Sequence, residues 1–327
     1  MKYFTVLALA SLLLTLTLFA CKQKSQKVSN KETSIVCTVF PQFDWVRQIL
    51  GDKADKVELT LLLDNKIDLH SYQPSVADIA KISTCDLFIY VGGESDEWVN
   101  DALKGAINKN MTVINLLESL GDKAKIEETL EGMEAEKSEN GDVEDEEEAE
   151  YDEHIWLSLK NAAALLPVIA DAISSLDAGN AQVYRDNSAQ YVEKLSSLNA
   201  QYQAVTEAAS VKTVLFGDRF PFRYMTDDYG LTPFAAFTGC SAETEASFET
   251  IIFLAKKIDE LKLRNVIVTE SADQSIAKTV IANTKDKNQR ILILNSMQSV
   301  TSKDVANGIT YLSVMENNLD VLKNALN

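Results

Sequence analysis

The chain has 327 residues, of which 46% are hydrophobic and 24% are charged, a composition typical of a globular protein. Its formal net charge is −18 at pH 7, and it has no cluster of Lys and Arg of the kind that a nucleic-acid duplex requires. We therefore expect no nucleic-acid partner. After Ser34 the chain is long enough for two lobes of ordinary domain size.

The N-terminus has the pattern of an export signal. A single Lys precedes an apolar run over residues 3–20, which is too short and too weakly flanked for a stop-transfer helix. The run ends in LFAC, which resembles the junction of a bacterial lipoprotein signal; the resemblance implies that Cys21 carries a lipid anchor. An ordinary signal peptide and an uncleaved helix are the alternatives. We predict a signal peptide over 1–20 and a polar tether over 21–33.

Three further cysteines, Cys37, Cys85 and Cys240, are scattered along the chain and define no disulfide framework. We expect them to be mainly buried small apolar residues. A disulfide between Cys37 and Cys85 is the alternative.

Short apolar runs alternate with helical patterns along the rest of the chain. The strand-like runs of the first half are SIVCTV, VELTLLL, DLFIYVGG and TVINLL, and those of the second half are KTVLFG, FAAF, NVIVTE and RILILN. Strands separated by helices predict parallel sheets covered by helices. We therefore predict an α/β fold with two lobes, each a parallel-rich sheet flanked by helices.

A helical region joins the two predicted lobes. Residues 161–209 contain no strand-like run and are rich in Ala, Leu, Gln and Glu, with a break near DAGN. We predict an N-terminal lobe over 34–177, a long linking helix over 178–209 and a C-terminal lobe over 210–327.

One acidic segment stands apart from this pattern. Residues 127–153 are dense in Glu and Asp and have almost no apolar periodicity, so they bury too little surface to offset the entropy of ordering. We predict a mobile surface loop here. It is either a solubilising insertion or an electrostatic funnel for cations, and it leads directly into His154.

Only two histidines occur in the chain, His70 in DLHSYQPSVADIAK and His154 in DEHIWLSLKNA. Each follows a loop-like break and precedes aromatic and helix-forming residues. Connections of this kind face the ligand crevice in open α/β sheets. A single histidine is more often a packed residue than a ligand, but two in such junctions, with none elsewhere, favour metal binding.

Both histidine segments resemble the metal-ligand segments of the zinc/manganese-type solute-binding proteins of bacterial ABC importers. VCTVFPQFDWVRQILG and VIVTESADQSIAKTVIANT are also similar to that family. The resemblance implies a monomeric, lipid-anchored extracytoplasmic receptor that binds Zn²⁺ between two lobes and delivers it to a membrane permease. It implies His70 and His154 as metal ligands and no catalytic reaction.

The third ligand segment departs from the family pattern. Alignment on Tyr-Gly-Leu places Arg219 opposite the family's third ligand, and an arginine cannot coordinate a cation. One inserted residue brings Asp218 into that place, and we predict Asp218 as the third ligand. The alternative is a loop carboxylate that pairs with Arg219 or Arg223.

The fourth ligand is predicted to be Glu270, which corresponds to a glutamate near the family's site and serves either as a ligand or as the acceptor of an imidazole N–H. Asn295 stands where the family often has an acidic residue. The segment GCSAETEASFET offers Glu243 and Glu245 as further candidates and Cys240 as an outside one. The alternative interpretation of that segment is a helix N-terminus capped by Ser and Thr.

Other functions remain open at this point. Mn²⁺ replaces Zn²⁺ if carboxylates complete the site, although the charged loop before His154 resembles the zinc-importing members. A metallohydrolase could use two histidines and carboxylates, but neither H-E-x-x-H nor another catalytic spacing is present. An adhesin or structural lipoprotein explains the anchor and the acidic loop but not the paired histidine segments.

Overall fold

The computed structural model of the protein describes residues 33–134, 150–241 and 245–327. The predicted signal peptide, the tether, Cys21 and Glu243 lie outside these ranges, as do residues 135–149 of the acidic segment.

The sheet of the N-terminal lobe has four parallel strands: β1 (Thr33–Cys37), β2 (Val57–Leu61), β3 (Leu87–Tyr90) and β4 (Thr112–Asn115). Their spatial order is β2-β1-β3-β4, so β1 has its sequence neighbour on one side and β3 on the other. Loops that leave neighbouring strands in different directions open a crevice at the carboxyl edge of a sheet. The central residues Ile35, Val36, Phe88 and Ile89 have no solvent exposure, as expected for strands covered on both faces.

Four helices follow these strands in the chain: α1 (Phe40–Leu50), α2 (Val76–Thr84), α3 (Trp98–Lys104) and α4 (Leu116–Leu120). Helix α2 begins at a capping box, in which Ser75 and Asp78 bond each other's backbone N–H groups.

Two long helices lead from the first lobe to the second: α5 (Leu159–Leu176) and α6 (Ala181–Ala208). A short 3₁₀ turn over Ala178–Asn180 separates them at the predicted DAGN break. Helix α5 is the one helix in the described ranges that is long and apolar enough to cross a membrane, and half of it is buried within the protein. The two helices pack along each other and provide the predicted long connection.

The sheet of the C-terminal lobe also has four parallel strands: β5 (Thr213–Phe220), β6 (Thr232–Thr238), β7 (Asn265–Thr269) and β8 (Arg290–Leu294). Their order, β6-β5-β7-β8, repeats that of the first sheet. The helices that follow are α7 (Arg223–Tyr229), α8 (Phe248–Leu261), α9 (Ser275–Ala282) and α10 (Ser302–Ala306). The predicted fold of two parallel-sheet lobes joined by a long helix is confirmed.

A bulge in β5 changes the position of Asp218, one of the predicted ligands. The pairing of β5 with β6 shifts between Phe216 and Arg219, because one residue more on β5 than on β6 is accommodated there. The bulge contains Gly217 and Asp218.

The last helix, α11 (Tyr311–Ala325), connects the end of the chain to both lobes. The backbone N–H of Tyr311 donates to the Asp44 carboxylate in α1 at 2.9 Å, and its hydroxyl donates to the carbonyl of Trp156 at 2.6 Å. The Tyr311 ring packs edge-on against Trp45, with centroids 5.3 Å apart. One continuous apolar cluster therefore includes residues of both lobes.

The described ends of the acidic segment are packed against the rest of the protein. Met133 is buried, and Glu134 accepts hydrogen bonds from the Ser247 N–H at 2.8 Å and from the Thr250 hydroxyl at 3.0 Å, at the start of α8. Ile126 and Tyr151 form an antiparallel bridge. The described ends of the predicted loop over 127–153 therefore make tertiary contacts, because isolated apolar and acidic residues find partners that local periodicity does not reveal.

A buried amide at the end of β8 provides a test of the fold. The side chain of Asn318 accepts the N–H of Asn295 at 2.9 Å and donates to its carbonyl at 2.8 Å. Asn318→Ala leaves both backbone groups without this partner, so we expect the free energy of unfolding to fall by about 1–3 kcal/mol.

The matched control for this substitution is Asn317→Ala in the same helix, because Asn317 is exposed. We expect this control to change the free energy of unfolding by less than about 0.5 kcal/mol in a urea titration. Equal losses in the two variants would contradict the role given to Asn318.

Candidate metal centre

His70 lies on the connection that leaves the carboxyl end of β2. It is part of a short 3₁₀ turn over Leu69–Ser71, and the Asp68 carboxylate caps this turn by accepting the backbone N–H of His70 at 3.1 Å. Leu69 is buried and anchors the turn to the core. The Nδ1 atom of His70 lies 2.8 Å from the hydroxyl oxygen of Ser95 and 3.4 Å from Oε2 of Glu153. These contacts fix the ring through Nδ1, and its Nε2 faces His154.

His154 is held in the same way at the end of the acidic segment. A carboxylate oxygen of Asp152 accepts its backbone N–H at 2.9 Å and lies 3.0 Å from its Nδ1. The following turn, Ile155–Leu157, is fully buried, and the indole N–H of Trp156 donates to the carbonyl of Ser296 at 2.8 Å. The imidazole of His154 is itself inaccessible to solvent, so its position is fixed by packing as well as by hydrogen bonds.

The two histidines meet although 84 residues separate them in the chain. Their Nε2 atoms are 3.2 Å apart, and their ring planes are inclined at 55°. Cys240 completes a cluster in which one ligand atom from each residue lies within 4.8 Å of the others, and it is the only such group of three found in the described residues. We refer to His70, His154 and Cys240 as the triad.

Cys240 reaches the histidines because the chain after β6 passes close to the His154 ring. A Cβ atom at Gly239 would lie 2.9 Å from the carbonyl oxygen of Phe220 and 3.2 Å from two atoms of His154, so only glycine fits comfortably there. The backbone N–H of Cys240 donates to Oε1 of Glu127 at 2.9 Å. The ordered end of the acidic segment thus holds the cysteine in place.

Burial and charge set the protonation of the triad. Burial, together with the neighbouring His154, lowers the pKa of His70 to about 3, so this ring is neutral at pH 7. Burial opposes protonation of His154 as well, but the hydrogen bond to Asp152 outweighs it and raises the pKa of His154. Burial, reinforced by the Glu127 carboxylate, raises the pKa of the Cys240 thiol. Burial also raises the pKa of Glu153, to about 7.

The second-lobe residues predicted from the sequence are engaged elsewhere. The Asp218 carboxylate, in the β5 bulge, accepts the N–H of Thr269 at 3.0 Å and also its hydroxyl. The Glu270 carboxylate accepts three hydrogen bonds from Ser296 and one from Ser299, the shortest of them 2.7 Å from the N–H of Ser296. The structure therefore brings neither carboxylate into the triad, and their role as metal ligands stays a prediction.

Asn295 is likewise outside the triad. Its side-chain oxygen accepts the N–H of Met297 at 2.7 Å, and its backbone pairs with Asn318. Glu243 lies outside the described residues. The alternative interpretation of GCSAETEASFET holds for its second half, because Ser247 caps helix α8 by accepting the N–H of Thr250.

Arg219 forms an ion pair between the lobes. Its guanidinium donates to the Asp68 carboxylate at 2.6 Å, and a second nitrogen donates to the carbonyl of Ser241 at 3.4 Å. Burial opposes ionisation of Asp68, but the guanidinium outweighs it and lowers the pKa of that carboxyl. Asp68 also caps the turn that carries His70, so Arg219 connects the C-terminal lobe to that turn.

Sequence reasoning missed several residues around the triad. Asp68 and Asp152 each stand two positions before a histidine, and the repeated Asp-x-His spacing is a signal that could have identified both. Glu153 and Gln298 carry no comparable signal. The amide nitrogen of Gln298 lies 3.3 Å from Nε2 of His154, a contact that only the packing of the two lobes creates.

A cavity of about 370 Å³ opens beside His70 and Cys240. Four carboxylates line it, and we refer to them as the acidic vestibule: Glu94, Glu97, Glu150 and Glu153. Clustered carboxylates at the entrance of a cleft raise the local concentration of cations.

The chain is similar to a known protein family and to several relatives over most of its length. The family described as "Zinc-uptake complex component A periplasmic" (ZnuA) matches residues 35–325. The zinc-binding lipoprotein AdcA of Streptococcus pneumoniae is 31% identical over 317 residues, which cover 97% of this chain and 60% of the relative. The high-affinity zinc uptake system protein ZnuA of Bacillus subtilis is 27% identical over 311 residues and is covered to 93%. The chain thus spans about 60% of the length of AdcA.

Solved structures show the same architecture. The Zn(II)-bound ZnuA-like domain of Streptococcus pneumoniae AdcA has a TM-score of 0.68 and 28% identity, covering 90% of this chain and 99% of that domain. The metal-dependent lipoprotein YcdH of Bacillus subtilis has a TM-score of 0.71 and 25% identity, covering 90% of this chain and all of that one. The match over nearly the whole described chain, together with the paired histidine segments, shows that the protein belongs to the ZnuA family of periplasmic zinc-uptake components.

Proposed function

We propose that the protein is an extracytoplasmic receptor that captures Zn²⁺ between its two lobes and delivers it to the permease of an ABC importer. The observation that carries this proposal is the 3.2 Å separation of the two imidazole Nε2 atoms. Two Zn–N bonds of about 2.0–2.1 Å at a tetrahedral angle place their nitrogens about 3.3 Å apart. The pair therefore matches the spacing that one bound ion requires.

The donor types favour zinc over manganese. Imidazole and thiolate are ligands of Zn²⁺, whereas Mn²⁺ prefers carboxylate, carbonyl and water oxygens. The two histidines offer imidazole nitrogens, and the Asp218 and Glu270 carboxylates predicted to complete the site are hydrogen-bonded within the C-terminal lobe. The relatives AdcA and ZnuA are both named for zinc, which supports the same choice.

Capture and release require no chemical step, and each part of the site serves binding. Asp152 orients His154, Ser95 and Glu153 orient His70, and the acidic vestibule attracts the cation. A metallohydrolase also needs a group that activates water, and the sequence has no catalytic spacing for one. The family description, an uptake component, supports a receptor rather than an enzyme.

The anchor and the partners belong to the same proposal. Cys21 carries the lipid that holds a monomeric receptor at the membrane, next to the permease. Support comes from the LFAC junction and from the lipoprotein named among the relatives.

The first test of this function is the response of thermal stability to Zn²⁺. A metal that binds only the folded state adds about 4 kcal/mol of stability at a thousandfold excess over Kd, and Tm rises accordingly. We expect His70→Ala to remove most of this rise, because it deletes one of two imidazole ligands.

The control for His70→Ala is Ser71→Ala, since Ser71 is the exposed neighbour in the same turn. It should keep the full rise in Tm and bind one Zn²⁺ per chain in equilibrium dialysis. A His70→Ala protein that binds and melts like the parent would exclude this site.

The acidic vestibule is tested by the rate of capture. Glu94→Gln with Glu97→Gln removes two exposed charges at the entrance, so the association rate of Zn²⁺ should fall several-fold at low ionic strength. At about 1 M salt, where the Debye length is about 3 Å, the difference should vanish in stopped-flow measurements. The control, Glu58→Gln with Glu118→Gln, changes the same net charge away from the vestibule. A loss that persists at high salt would mean that these residues bind the ion directly.

The anchor is tested with Cys21→Ala. Without the thiol no lipid can be attached, so we expect the variant either as a soluble extracytoplasmic protein or as an unprocessed precursor. Labelling by a fatty-acid probe should be lost. Unchanged labelling would show that another residue carries the lipid.

A further inference from the structure

We propose that the Cys240 thiolate is the ligand contributed by the C-terminal lobe, so that the ion is held by two imidazoles and one thiolate. The inference rests on the proposed zinc-receptor function and adds to it: the residue that closes the site between the lobes is a sulfur donor, which makes the site selective for thiophilic ions.

The geometry of the loop after β6 is the first support. The ligand atoms of the triad all lie within 4.8 Å of one another. The backbone around Cys240 is restrained on two sides, since a Cβ atom on Gly239 would lie 3.2 Å from the His154 ring and Glu127 accepts the Cys240 N–H. A flexible cysteine on an unconstrained loop would show neither restraint.

The surroundings of the triad provide an independent support. The Oε1 atom of Gln298 is buried without a hydrogen-bond partner, in a residue only 8% exposed whose amide nitrogen lies 3.3 Å from Nε2 of His154. Buried polar atoms almost always have partners, so this unpaired oxygen beside His154 indicates that the centre receives a ligand.

The other charged side chains of the C-terminal lobe near the cleft are less suited to bind the ion. Asp218 and Glu270 accept hydrogen bonds from their own lobe, and Arg219 is a cation paired with Asp68. Cys240 is also the one cysteine of the described ranges with solvent access, because Cys37 and Cys85 are completely buried. None of these three forms a disulfide.

A sulfur ligand has a chemical consequence for selectivity. The thiol releases its proton to solvent as the sulfur–metal bond forms, and the product is a soft donor that suits Zn²⁺ and Cd²⁺ far better than Mn²⁺. Discrimination against Mn²⁺ then depends on one side chain. Replacing the Cys240 thiolate by an oxygen donor should weaken Zn²⁺ binding and reduce the difference in affinity between Zn²⁺ and Mn²⁺.

The experiment uses the full chain with Cys21→Ser, in which Cys240 is the accessible thiol. Its alkylation by iodoacetamide is followed by mass spectrometry with and without saturating Zn²⁺. We expect the ion to protect Cys240, and we expect the Co²⁺ complex to show a near-ultraviolet thiolate charge-transfer band. Both readouts use the native residue, so they do not depend on whether a variant folds.

Substitutions complete the test. Cys240→Ser should abolish the charge-transfer band and weaken Zn²⁺ binding by more than the roughly 10–100-fold cost of losing an outer hydrogen-bond partner. Asp218→Asn, the matched control for a carboxylate ligand, should bind Zn²⁺ like the parent.

The outcomes separate this inference from the proposed function. Equal alkylation with and without Zn²⁺, or no sulfur band in a protein that still binds one ion through His70, overturns Cys240 as a ligand and leaves the receptor function intact. A parent protein that binds no Zn²⁺ overturns both.

Discussion

The candidate site depends on bringing the Nε2 atoms of two imidazoles to within 3.2 Å of each other in a buried place. In water the two rings would separate, and in an apolar core they would lack partners. The protein meets this constraint by placing side-chain oxygens beside Nδ1 of each ring and by pairing each histidine backbone N–H with an aspartate. Preorganisation of this kind reduces the entropy that a pair of ligands loses when it binds an ion.

Placement of the lobes follows from the same requirement. His70 leaves the carboxyl end of β2, His154 precedes α5, and Cys240 follows β6, so three separate connections must converge. The shared apolar cluster and the Tyr311 contacts fix the angle between the sheets. Arg219 balances the negative charge of Asp68 through a direct ion pair between the lobes.

The strands, the parallel sheets and the linking helix were readable from the sequence because hydrophobic periodicity is a local property. The sequence singled out His70 and His154 as a pair because the chain has no other histidine, and the structure brings their rings together. The hydrogen bonds of Asp218 could not be predicted, because the bulge at Gly217 and Asp218 turns the carboxylate toward Thr269, and no spacing rule contains that turn. Cys240 was only an outside candidate. Its place beside the histidines depends on the close approach of Gly239 to the His154 ring, and the sequence does not show contacts between distant segments. The ordered ends of the acidic segment escaped notice for the same reason.

The contacts of α11 have a consequence for the proposed receptor function, namely for how a bound ion would leave. Helix α11 bonds Asp44 and Trp156 in one lobe and packs on β8 in the other, so hinge opening would break buried hydrogen bonds and aromatic contacts together. Local openings of surface connections cost much less free energy than global ones. In the proposed receptor, release would therefore proceed through fluctuations of the short segments that carry His70 and Cys240, without movement of the sheets. The dwell time of the ion would then be set by the stability of these two segments, which a docked permease could alter without separating the lobes.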